Sequence, residues 1–516
     1  MLQHNSIESA ASWLHQCVTG ELQTDSRHVR AGDGFVAWPG AAHDGRSYVA
    51  AALAQGAMAC LLERKDIEYF DFANVHFSNQ TSLASYEDLK AATGPIAATY
   101  FGQPSSKMHL VAFTGTNGKT TSAWWFSHLM ASLKTTPGQC CGHIGTLGAG
   151  VVRNGSLEAV PTGLTTPDPV LLQKKLRDFV DAGVTFCALE ASSIGLVEQR
   201  LTGTHLQTAV FTNFTQDHLD YHGSMDAYWE AKRMLFDWPC LKSAVINIDD
   251  KKGFELAQNL VPKSAQTGPE VWTISCKQPA RLRASDITNG ALGLAFTLVE
   301  GEQGFRVNSR IIGSYNLSNL LGVLAAARAG GVPLEQCALA CMDLPSVPGR
   351  MEKFGGASAP LVIVDYAHTP DALQQVLAAL RGVSDARTGR IICVFGCGGD
   401  RDRSKRQLMG QVAARLAETV VVTNDNPRNE DPSAIAQAIL TGLQKHKDVH
   451  LELDRHLAVA GAIAGAKSGD VVLIAGKGHE QFQEVAGLRL AFSDQAEVQA
   501  ALAVWVNFSP MAGVTR

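Results

Sequence analysis

The stretch that most constrains the fold of this chain is Leu110–Thr121, with the sequence Leu-Val-Ala-Phe-Thr-Gly-Thr-Asn-Gly-Lys-Thr-Thr. Its apolar start predicts a buried strand, and residues 122–133 after the glycine loop predict a helix. In such a unit, backbone N–H groups and the lysine bind phosphate oxygens, and a threonine hydroxyl can ligate Mg²⁺. The loop is a shortened Walker pattern, because Phe113 stands where the general pattern has its first glycine. The structural alternative is a plain turn whose glycines supply positive φ.

Length and composition indicate a multidomain globular protein. At 516 residues, 46% hydrophobic and 18% charged, the chain has material for roughly three domains with their own cores. The formal net charge of -5 argues against a nucleic-acid-binding surface, which would be basic and clustered. The 11 cysteines are an odd number without a repeated pair spacing, which is typical of reduced thiols. Cys393 and Cys397 have no second pair to complete a metal site.

The sequence predicts no targeting segment and no membrane span. The first residues have neither a positively charged n-region nor an apolar h-region. The nearest candidate for a span, residues 456–475, is interrupted by Lys467 and Asp470 and lacks the roughly 18 uninterrupted apolar residues that a span needs. We therefore expect a cytoplasmic protein that binds neither nucleic acid nor membrane.

Segments rich in proline and glycine divide the chain into three predicted domains of the α/β class. Residues 1–102 predict a small α/β unit with strands at Gly34–Ala37 and Met58–Leu62. Residues 103–343 predict a central, parallel-sheet domain of the P-loop mononucleotide-binding type. Residues 344–516 alternate strand and helix at least four times, which predicts a Rossmann-like, doubly wound parallel sheet.

A polar cluster follows each of the four predicted strands of the last domain. The clusters begin at Asp365, Gly396, Asp425 and Gly476. Because the carboxyl ends of parallel strands lie at one edge of the sheet, these clusters should meet in a single crevice, where such sheets bind ligands. Gly396-x-Gly398 is not a dinucleotide fingerprint, since Arg401 occupies the position of the third glycine.

Further candidate residues follow the predicted strands of the central domain. Glu190 ends the strand that begins at Val184, and a carboxylate beside a phosphate loop can hold Mg²⁺. The spacing of His218, Asp220 and His222 is compatible with a transition-metal site or with a capped turn. Lys232 lies on a charged helical stretch, and the pattern by itself favours a solvated side chain.

Seven motifs together resemble the Mur ligase family of bacterial cell-wall synthesis, and the resemblance runs from end to end of the chain. They are Gly115–Thr121, Glu190–Ser193, Asp217–His222, Tyr315–Asn319, Pro348–Glu352, Asp365–His368 and Asp425–Arg428. Within the family, the chain is most similar to the members that add the third residue of the peptide. The resemblance implies ATP-driven amide formation between UDP-N-acetylmuramoyl-L-alanyl-D-glutamate and meso-2,6-diaminopimelate. The glutamyl carboxylate would form an acyl phosphate, and the amine would displace phosphate through a tetrahedral intermediate.

The resemblance also implies roles for residues near the P-loop. Lys119, Glu190, His218 and Lys232 are implied as catalytic. Thr120, Glu190 and His218 would lie at the metal region, and Lys232 matches a lysine that is carbamylated in the family and could ligate a second Mg²⁺. The positions implied to meet ATP are Gly115, Thr116, Asn117, Gly118, Lys119, Thr120, Thr121, Asn316, Asn319, Arg350 and Asp365. We expect the enzyme to be a monomer.

The UDP-sugar is expected between the first domain and the central domain. The matching positions are Thr24, Ser26, Gly40, Ala41, Ala42, His43, Thr165, Thr166, Ser192, Glu198 and Arg200. Leu164, Ile194 and Glu198 depart from the family pattern, in which Asn, His and Gln stand at these positions. A carboxylate near a pyrophosphate is unexpected, and Arg200 could neutralise it.

The amino-acid substrate is expected in the crevice of the last domain. The matching positions are Arg401, Asp425, Asn426, Pro427, Arg428, Gly476 and Glu480. Diaminopimelate differs from lysine by a distal carboxylate, which a guanidinium group can bind with two parallel hydrogen bonds. Arg428, with Arg401 nearby, would provide that group, and Glu480 would bind the distal ammonium.

The alternatives are two other branches of the superfamily and one protein of another functional class. A lysine-adding relative would lack Arg428, and a folate-polyglutamating relative would lack the UDP-sugar domain with its Asp25-Ser-Arg27. A non-catalytic protein that binds nucleotide and UDP-sugar would have no need of the full set Lys119, Glu190, His218 and Lys232.

Overall fold

A computed structural model describes residues 1–40, 43–70, 72, 82–133, 139–264, 268–290 and 293–508 of the chain. The strands of this part form three large sheets and one small hairpin, and each large sheet belongs to a different section of the chain. All three are built mainly from parallel strands with helices between them, so the predicted α/β class is confirmed.

The first sheet has five parallel strands in the order β1-β5-β4-β3-β2. The strands are β1 (Leu2–Gln3), β2 (Leu22–Gln23), β3 (Gly34–Ala37), β4 (Ala59–Glu63) and β5 (Ser82–Tyr86). The helices are α1 (Ile7–Cys17), α2 (Val49–Ala54) and α3 (Leu89–Tyr100). A short 3-10 helix at Pro104–Lys107 leads to the next sheet, just after the predicted domain boundary between residues 102 and 103.

The central sheet has eleven strands in the order β16-β15-β14-β13-β12-β11-β6-β10-β7-β8-β9, parallel from β14 to β7 and antiparallel at both edges. Its strands are β6 (His109–Thr114), β7 (Cys141–Gly145), β8 (Gly148–Arg153), β9 (Ser156–Val160), β10 (Phe186–Glu190), β11 (Thr208–Phe211), β12 (Ser243–Asn247), β13 (Glu270–Ser275), β14 (Leu282–Gly290), β15 (Gly293–Glu300) and β16 (Gln303–Asn308). Its helices are α4 (Lys119–Ser132), α5 (Pro169–Asp181), α6 (Ser193–Val197), α7 (Leu219–His222), α8 (Met225–Arg233), α9 (Lys251–Ser264), α10 (Ser314–Ala329) and α11 (Leu334–Ala340).

The third sheet has six strands in the order β17-β18-β22-β19-β20-β21, and only the edge strand β17 is antiparallel. Its strands are β17 (Glu352–Gly355), β18 (Leu361–Asp365), β19 (Ile391–Phe395), β20 (Thr419–Val422), β21 (Val449–Leu451) and β22 (Val471–Ala475), and the hairpin is β23 (Phe482–Val485) with β24 (Leu488–Ala491). The helices are α12 (Pro370–Ala386), α13 (Ser404–Leu416), α14 (Pro432–Leu440), α15 (Arg455–Ala464) and α16 (Asp494–Phe508).

Side-chain alternation along β6 explains how the central sheet is buried on both faces. Val111 and Phe113 belong to one apolar cluster, and Leu110 and Ala112 belong to the cluster on the other face. Because neighbouring side chains of a strand point to opposite faces, an unbroken apolar run can fill two cores at once. The P-loop therefore follows a strand that is fixed from both sides.

Three helices start with the same local signal, an acidic or hydroxyl N-cap followed by proline. Asp168 accepts from the backbone N–H groups of Val170 and Leu171 before α5, and Thr369 and Asp431 do the same for α12 and α14. Proline fits the first helical position because its nitrogen has no hydrogen to leave unsatisfied. The sequence patterns predict helices that start at Pro169, Asp371 and Pro432, so the observed starts agree to within one residue.

The sequence patterns missed several elements. The antiparallel strands β7–β9 contain glycines and alternate irregularly, so residues 141–160 gave no strand signal. Helices α1 and α3 and the hairpin β23–β24 were also missed. Within the described ranges, no helix is both long and apolar enough to cross a membrane.

Candidate active site

The P-loop lies where β6 ends between its neighbours β10 and β11. Gly115 has φ 147°, and a Cβ at this position would lie 1.9 Å from Thr212 Oγ1. Gly118 has φ 87°, and its Cβ would lie 2.3 Å from Asn319 Oδ1. Both glycines therefore have positive φ, and both let a neighbouring side chain approach the loop closely. The interpretation as a turn and the interpretation as a phosphate-binding loop are thus compatible.

The stretch after β11 holds the loop in place. Thr116 N donates to Asn213 O at 2.8 Å, and Asn117 N donates to Asn213 Oδ1 at 2.9 Å. The Thr212 hydroxyl donates to Asn117 O at 2.6 Å, and Tyr228 OH donates to Thr116 Oγ1 at 3.2 Å. Since α4 begins at Lys119, the N–H groups of its first turn have no acceptor within the helix and can bind an anion.

Two lysine side chains converge on the Gly115 carbonyl. Lys119 Nζ donates to Gly115 O at 2.9 Å, and Lys232 Nζ donates to the same oxygen at 2.7 Å. The helix pattern favours a solvated Lys232, and this was wrong, because the residue is 1% exposed and its ammonium lies 4.5 Å from the centre of the Tyr228 ring. Burial lowers the pKa of Lys232 well below its usual range, and the charge of Lys119 lowers it further.

Glu190 and Thr120 join the end of β10 to the P-loop helix. The Thr120 hydroxyl donates to Glu190 Oε2 at 2.9 Å, and Thr146 N donates to Glu190 Oε1 at 2.7 Å. Burial raises the pKa of Glu190, while the hydrogen bond from Thr146 and the charge of Lys119 oppose the rise. Oxygen donors beside a phosphate loop fit Mg²⁺, which takes few protein ligands and keeps waters and phosphate oxygens as the rest.

The His218, Asp220 and His222 side chains do not form a transition-metal site. His222 Nε2 lies 3.0 Å from Ser193 Oγ, whereas His218 Nε2 lies 3.5 Å from Asp217 Oδ2. In the described part of the chain, no three His, Cys, Asp or Glu side chains are grouped so as to hold a metal ion. Burial lowers the pKa of His218 to about 4, so its imidazole is neutral near pH 7.

Residues predicted to meet the nucleotide lie against the P-loop from two directions. Asn319 on α10 contacts Gly118, and its Nδ2 lies 3.4 Å from Asn316 Oδ1. Arg350 reaches the loop from the last domain, with Nη2 3.5 Å from Thr120 Oγ1. Its guanidinium lies 4.1 Å from the centre of the Tyr366 ring.

Arg350 and Asp365 provide opposite charges where the last domain meets the P-loop. The Arg350 Nη1 atom is buried and has no hydrogen-bond partner among the described residues, as a donor meant for an anion would. Asp365 accepts from the backbone N–H groups of Met351 at 2.7 Å and Ala367 at 2.8 Å. Burial raises the pKa of Asp365, and Arg350 opposes that rise.

The predicted UDP-sugar residues of the central domain form a connected band of hydroxyl groups beside Glu190. Thr166 Oγ1 donates to Glu190 O at 2.8 Å and lies 3.0 Å from Ser192 Oγ. Thr165 Oγ1 lies 3.0 Å from Thr146 Oγ1, and Arg200 Nη1 donates to Thr166 O at 3.1 Å. The residues predicted to bind the UDP-sugar are therefore neighbours of the P-loop residues.

On the first domain, the predicted sugar loop lies close to α5. Thr24 hydrogen-bonds to the Asp168 carboxylate, and Ser26 opens a short 3-10 helix. Gly40 N donates to His43 O at 2.9 Å, which closes the next loop. Ala41 and Ala42 lie outside the described residues.

Glu198 has a different partner from the one that the sequence indicates. Its carboxylate forms an ion pair with Lys90 of α3 at 2.8 Å and accepts from Tyr221 OH at 2.6 Å. Arg200 makes a smaller contribution to the lowered pKa of Glu198, while burial opposes the lowering. Lys90 therefore neutralises this carboxylate and connects the first domain to the central one.

The predicted amino-acid crevice brings Arg401 and Arg428 to the same glycine. A Cβ at Gly398 would lie 2.9 Å from Arg428 Nη1 and 3.7 Å from Arg401 Cγ. Arg428 Nη1 donates to Gly399 O at 2.8 Å, and its Nε lies 3.3 Å from Glu484 Oε2. The guanidinium is thus held by the β19 loop and by the hairpin β23–β24, with 21% of its side chain exposed.

The other predicted crevice residues lie beside Arg401 and Arg428. A Cβ at Gly476, which has φ 113°, would lie 2.5 Å from Asp425 Oδ2. Asn426 Nδ2 donates to Glu480 Oε2 at 2.8 Å, and Pro427 O lies against Gly399. The four polar clusters therefore meet at one edge of the sheet, as predicted.

Several residues of the site were missed by sequence reasoning. Tyr228, Thr146, Asn213, Lys90, Lys477 and Glu484 all contact predicted site residues. Two of them carried a usable signal: Lys477 belongs to the polar cluster that begins at Gly476, and Asn213 lies two residues beyond the end of β11. The others reach the site through tertiary contacts that no local pattern indicates.

Comparison with known families and proteins assigns most of the chain. The family model described as Mur ligase family, catalytic domain matches residues 20–95, Mur ligase middle domain matches 113–327, and Mur ligase, glutamate ligase domain matches 349–478. A protein of Acidovorax sp. (strain JS42) named UDP-N-acetylmuramoyl-L-alanyl-D-glutamate--2,6-diaminopimelate ligase is 52% identical over 501 residues, which cover 96% of this chain and 97% of that protein. A protein of the same name from Janthinobacterium sp. (strain Marseille) is 44% identical over 98% of this chain and 99% of its own.

Solved structures agree with this assignment. A structure of a UDP-N-acetylmuramoyl-L-alanyl-D-glutamate--2,6-diaminopimelate ligase is 37% identical, with a TM-score of 0.62 and coverage of 94% of both chains. The MurF ligase of Thermotoga maritima in complex with ADP shares the fold at 19% identity, with a TM-score of 0.64 and coverage of 95% of this chain and 98% of that one.

Proposed function

Because the chain belongs to the Mur ligase family, we propose that it joins meso-2,6-diaminopimelate to UDP-N-acetylmuramoyl-L-alanyl-D-glutamate, with ATP converted to ADP and phosphate. The product is a precursor of peptidoglycan. The observation that carries the proposal is the arrangement around the P-loop. Hydroxyl residues of the sugar site contact Glu190 on one side, and Arg350 reaches Thr120 from the amino-acid-binding domain on the other.

The reaction needs a carboxylate to attack the γ-phosphate of ATP, and both groups are anionic. Lys119 and Arg350 place two cations at the P-loop, and the N–H groups at the start of α4 add partial positive charge. Such charges reduce the repulsion between the reacting groups and stabilise the negative charge that develops on the transferred phosphoryl group. The substrate carboxylate then becomes an acyl phosphate, which the amine attacks with loss of phosphate.

One Mg²⁺ would be held by Thr120 and Glu190, with His218 in the same metal region, and a carbamylated Lys232 would ligate a second Mg²⁺. When bound, it supplies positive charge to the phosphate oxygens. Burial and the charge of Lys119 both favour the neutral amine of Lys232, which is the form that reacts with CO2. The carbamate would replace a buried cation by an anionic oxygen ligand.

Arg428 would choose the amino acid. Its guanidinium is fixed by Gly399 O and Glu484, and Arg401 lies beside the same glycine. Lysine lacks the distal carboxylate and would leave this guanidinium with Glu484 as its carboxylate partner. Discrimination of this polar kind can reach about 10^4-fold at fully buried sites.

Cellular location and assembly follow from the same proposal. All 11 cysteines are free thiols, which suits the reducing cytoplasm where the substrates of this ligase would be found. The enzyme would act as a monomer, since each role above is assigned to residues of one chain.

An assay of phosphate release tests the proposal. The purified protein should release phosphate only when ATP, Mg²⁺, the UDP-muramoyl dipeptide and diaminopimelate are all present. A panel of amino acids at equal concentration should show diaminopimelate far ahead of lysine. Faster turnover with lysine would indicate the lysine-adding branch, and tight binding without phosphate release would indicate a non-catalytic protein.

A further inference from the structure

A lysine that is completely buried lies beneath the amino-acid crevice. Lys477 follows β22 and is 0% exposed. A buried ammonium group is costly unless it is paired and hydrogen-bonded. Lys477 Nζ donates to Glu480 Oε2 at 2.8 Å and to Asn426 Oδ1 at 2.9 Å. The Lys477 ammonium group is therefore hydrogen-bonded to two residues of the crevice.

Lys477, Asn426 and Glu480 form a closed triangle of hydrogen bonds. The third side is the bond from Asn426 Nδ2 to Glu480 Oε2 at 2.8 Å. Lysine can only donate, so the atom that faces it must be the amide oxygen of Asn426. The same oxygen accepts from Glu484 N at 2.9 Å, so the Asn426 amide has one orientation.

The triangle leaves one carboxylate oxygen of Glu480 for another donor. Both contacts above go to Oε2, and Oε1 has no hydrogen-bond partner among the described residues. The Glu480 side chain keeps 19% exposure. Asp425 lies against neighbouring Gly476, so the crevice offers two acidic groups beside the buried Lys477.

We propose that Lys477 is a positioning residue for the amino-acid substrate, which holds Glu480 in the one rotamer that presents Oε1 to the distal ammonium. This proposal rests on the proposed function, because the ammonium belongs to the diamino acid. Lys477 also partly neutralises the negative charge of Glu480. Its benefit to substrate binding therefore comes from the orientation of the carboxylate and not from a stronger attraction for the substrate ammonium. A glutamate that is already ordered loses less rotamer freedom when the substrate binds.

The first test compares Lys477→Met with the wild type in the complete assay. The KM for diaminopimelate should rise by about 10-fold or more, since hydrogen bonds to charged groups are worth that much, while the KM for ATP and for the UDP-muramoyl dipeptide should change less than about threefold. Lys467→Met, an exposed lysine of the same domain, serves as the matched control. An unchanged KM for diaminopimelate would overturn the proposal.

A double-mutant cycle separates positioning from general support of the fold. Glu480→Gln removes the carboxylate through which Lys477 acts. In that background, Lys477→Met should change the KM for diaminopimelate by less than about twofold, because coupled residues are not additive. If the two single effects multiply instead, Lys477 does not act through Glu480 and the proposal fails.

Hydroxylamine provides a readout that does not use the crevice. Its nitrogen attacks the acyl carbon of the acyl phosphate, phosphate leaves, and a hydroxamate forms. Lys477→Met should form hydroxamate at the wild-type rate, which also shows that the P-loop side is folded.

If Lys477→Met is insoluble, Lys477→Gln provides a second variant. It retains a hydrogen-bond donor and should give a smaller rise in the KM for diaminopimelate, and no rise would contradict the proposal. Absence of any turnover by the wild type would instead refute the proposed function.

Discussion

The ammonium groups of Lys119 and Lys232 donate to one backbone oxygen, that of Gly115, at 2.9 and 2.7 Å. Two cations that share an acceptor repel each other. Lys232 is buried and Lys119 is half-buried, and removal from water lowers the pKa of each. The charged form of Lys119 is favoured by Glu190 and Asp217 and opposed by Arg350, whereas that of Lys232 is opposed by Lys119 and favoured only by Asp217. Of the two lysines, Lys232 therefore has the surroundings that more strongly favour the neutral amine.

We predict that Lys232→Ala lowers kcat by about 100-fold or more, because a ligand for positive charge at the transferred phosphate is lost. Acetate or formate should restore part of the activity by replacing the carbamate oxygens. Measurement of kcat with and without each carboxylate checks this. Lys445→Ala, an exposed lysine, is the control. Full activity of Lys232→Ala without any additive would contradict the carbamate assignment.

Arg428 should control the choice of amino acid and little else. Arg428→Ala should raise the KM for diaminopimelate by about 100-fold or more, because the distal carboxylate loses a charged pair of hydrogen bonds. Arg428→Lys should give an intermediate value, since an ammonium group cannot bind the carboxylate with two parallel bonds.

Initial rates over a range of diaminopimelate concentrations measure this effect, with the KM for ATP as the internal reference. Arg415→Ala removes an exposed guanidinium of the same domain and should change neither constant. An Arg428→Ala variant that keeps its KM for diaminopimelate would remove the specificity assignment.

Local sequence patterns predicted the parts of the site that lie at strand ends. A parallel sheet places all its carboxyl ends at one edge, so Asp425 and Gly476 could be brought together before any contact was known. Glu190 was predicted by the same reasoning. In each case, the residue lies no more than three positions beyond the end of the strand that positions it.

Contacts between distant elements could not be predicted in this way. Lys232 has an ordinary charged helical neighbourhood, and only the packing of α8 beneath the P-loop buries it. Lys90 and Glu198 belong to different domains, and their ion pair depends on how α3 meets α6. Lys477 stands in a glycine-rich segment, where a buried ammonium group has no sequence signature.

The ion pair with Lys90 should neutralise the Glu198 carboxylate, whose negative charge would otherwise repel the anionic UDP-sugar. Lys90→Met leaves the Glu198 carboxylate without its cation, so the KM for the UDP-muramoyl dipeptide should rise by about three- to tenfold, a modest factor because the pair is partly exposed. The double variant Lys90→Met/Glu198→Gln should restore the wild-type value. Lys107→Met is the exposed control. No recovery in the double variant would show that Lys90 acts by another route.

Acid sensitivity should arise in part from His143 inside the central domain. The ring is completely buried, its Nδ1 lies 3.5 Å from Ser127 Oγ, and its Nε2 has no hydrogen-bond partner among the described residues. Burial, with a smaller contribution from His128, lowers the pKa of His143 from 6.5 to about 4. As the pH falls, His143 therefore binds a proton in the unfolded chain at a higher pH than in the folded chain. The folded state loses stability as the pH falls from 6.5 towards 4.

The loss from this one group should reach roughly 3 kcal/mol near pH 4, and about 2 kcal/mol at pH 5. Between pH 7 and pH 5, the Tm of the wild type should then fall by about 4–8 °C more than that of His143→Asn, which has no titrating ring. His205→Asn, an exposed histidine, should fall as the wild type does. Equal shifts in the wild type and His143→Asn would mean that the His143 ring can take up a proton without cost, and that burial does not keep it neutral.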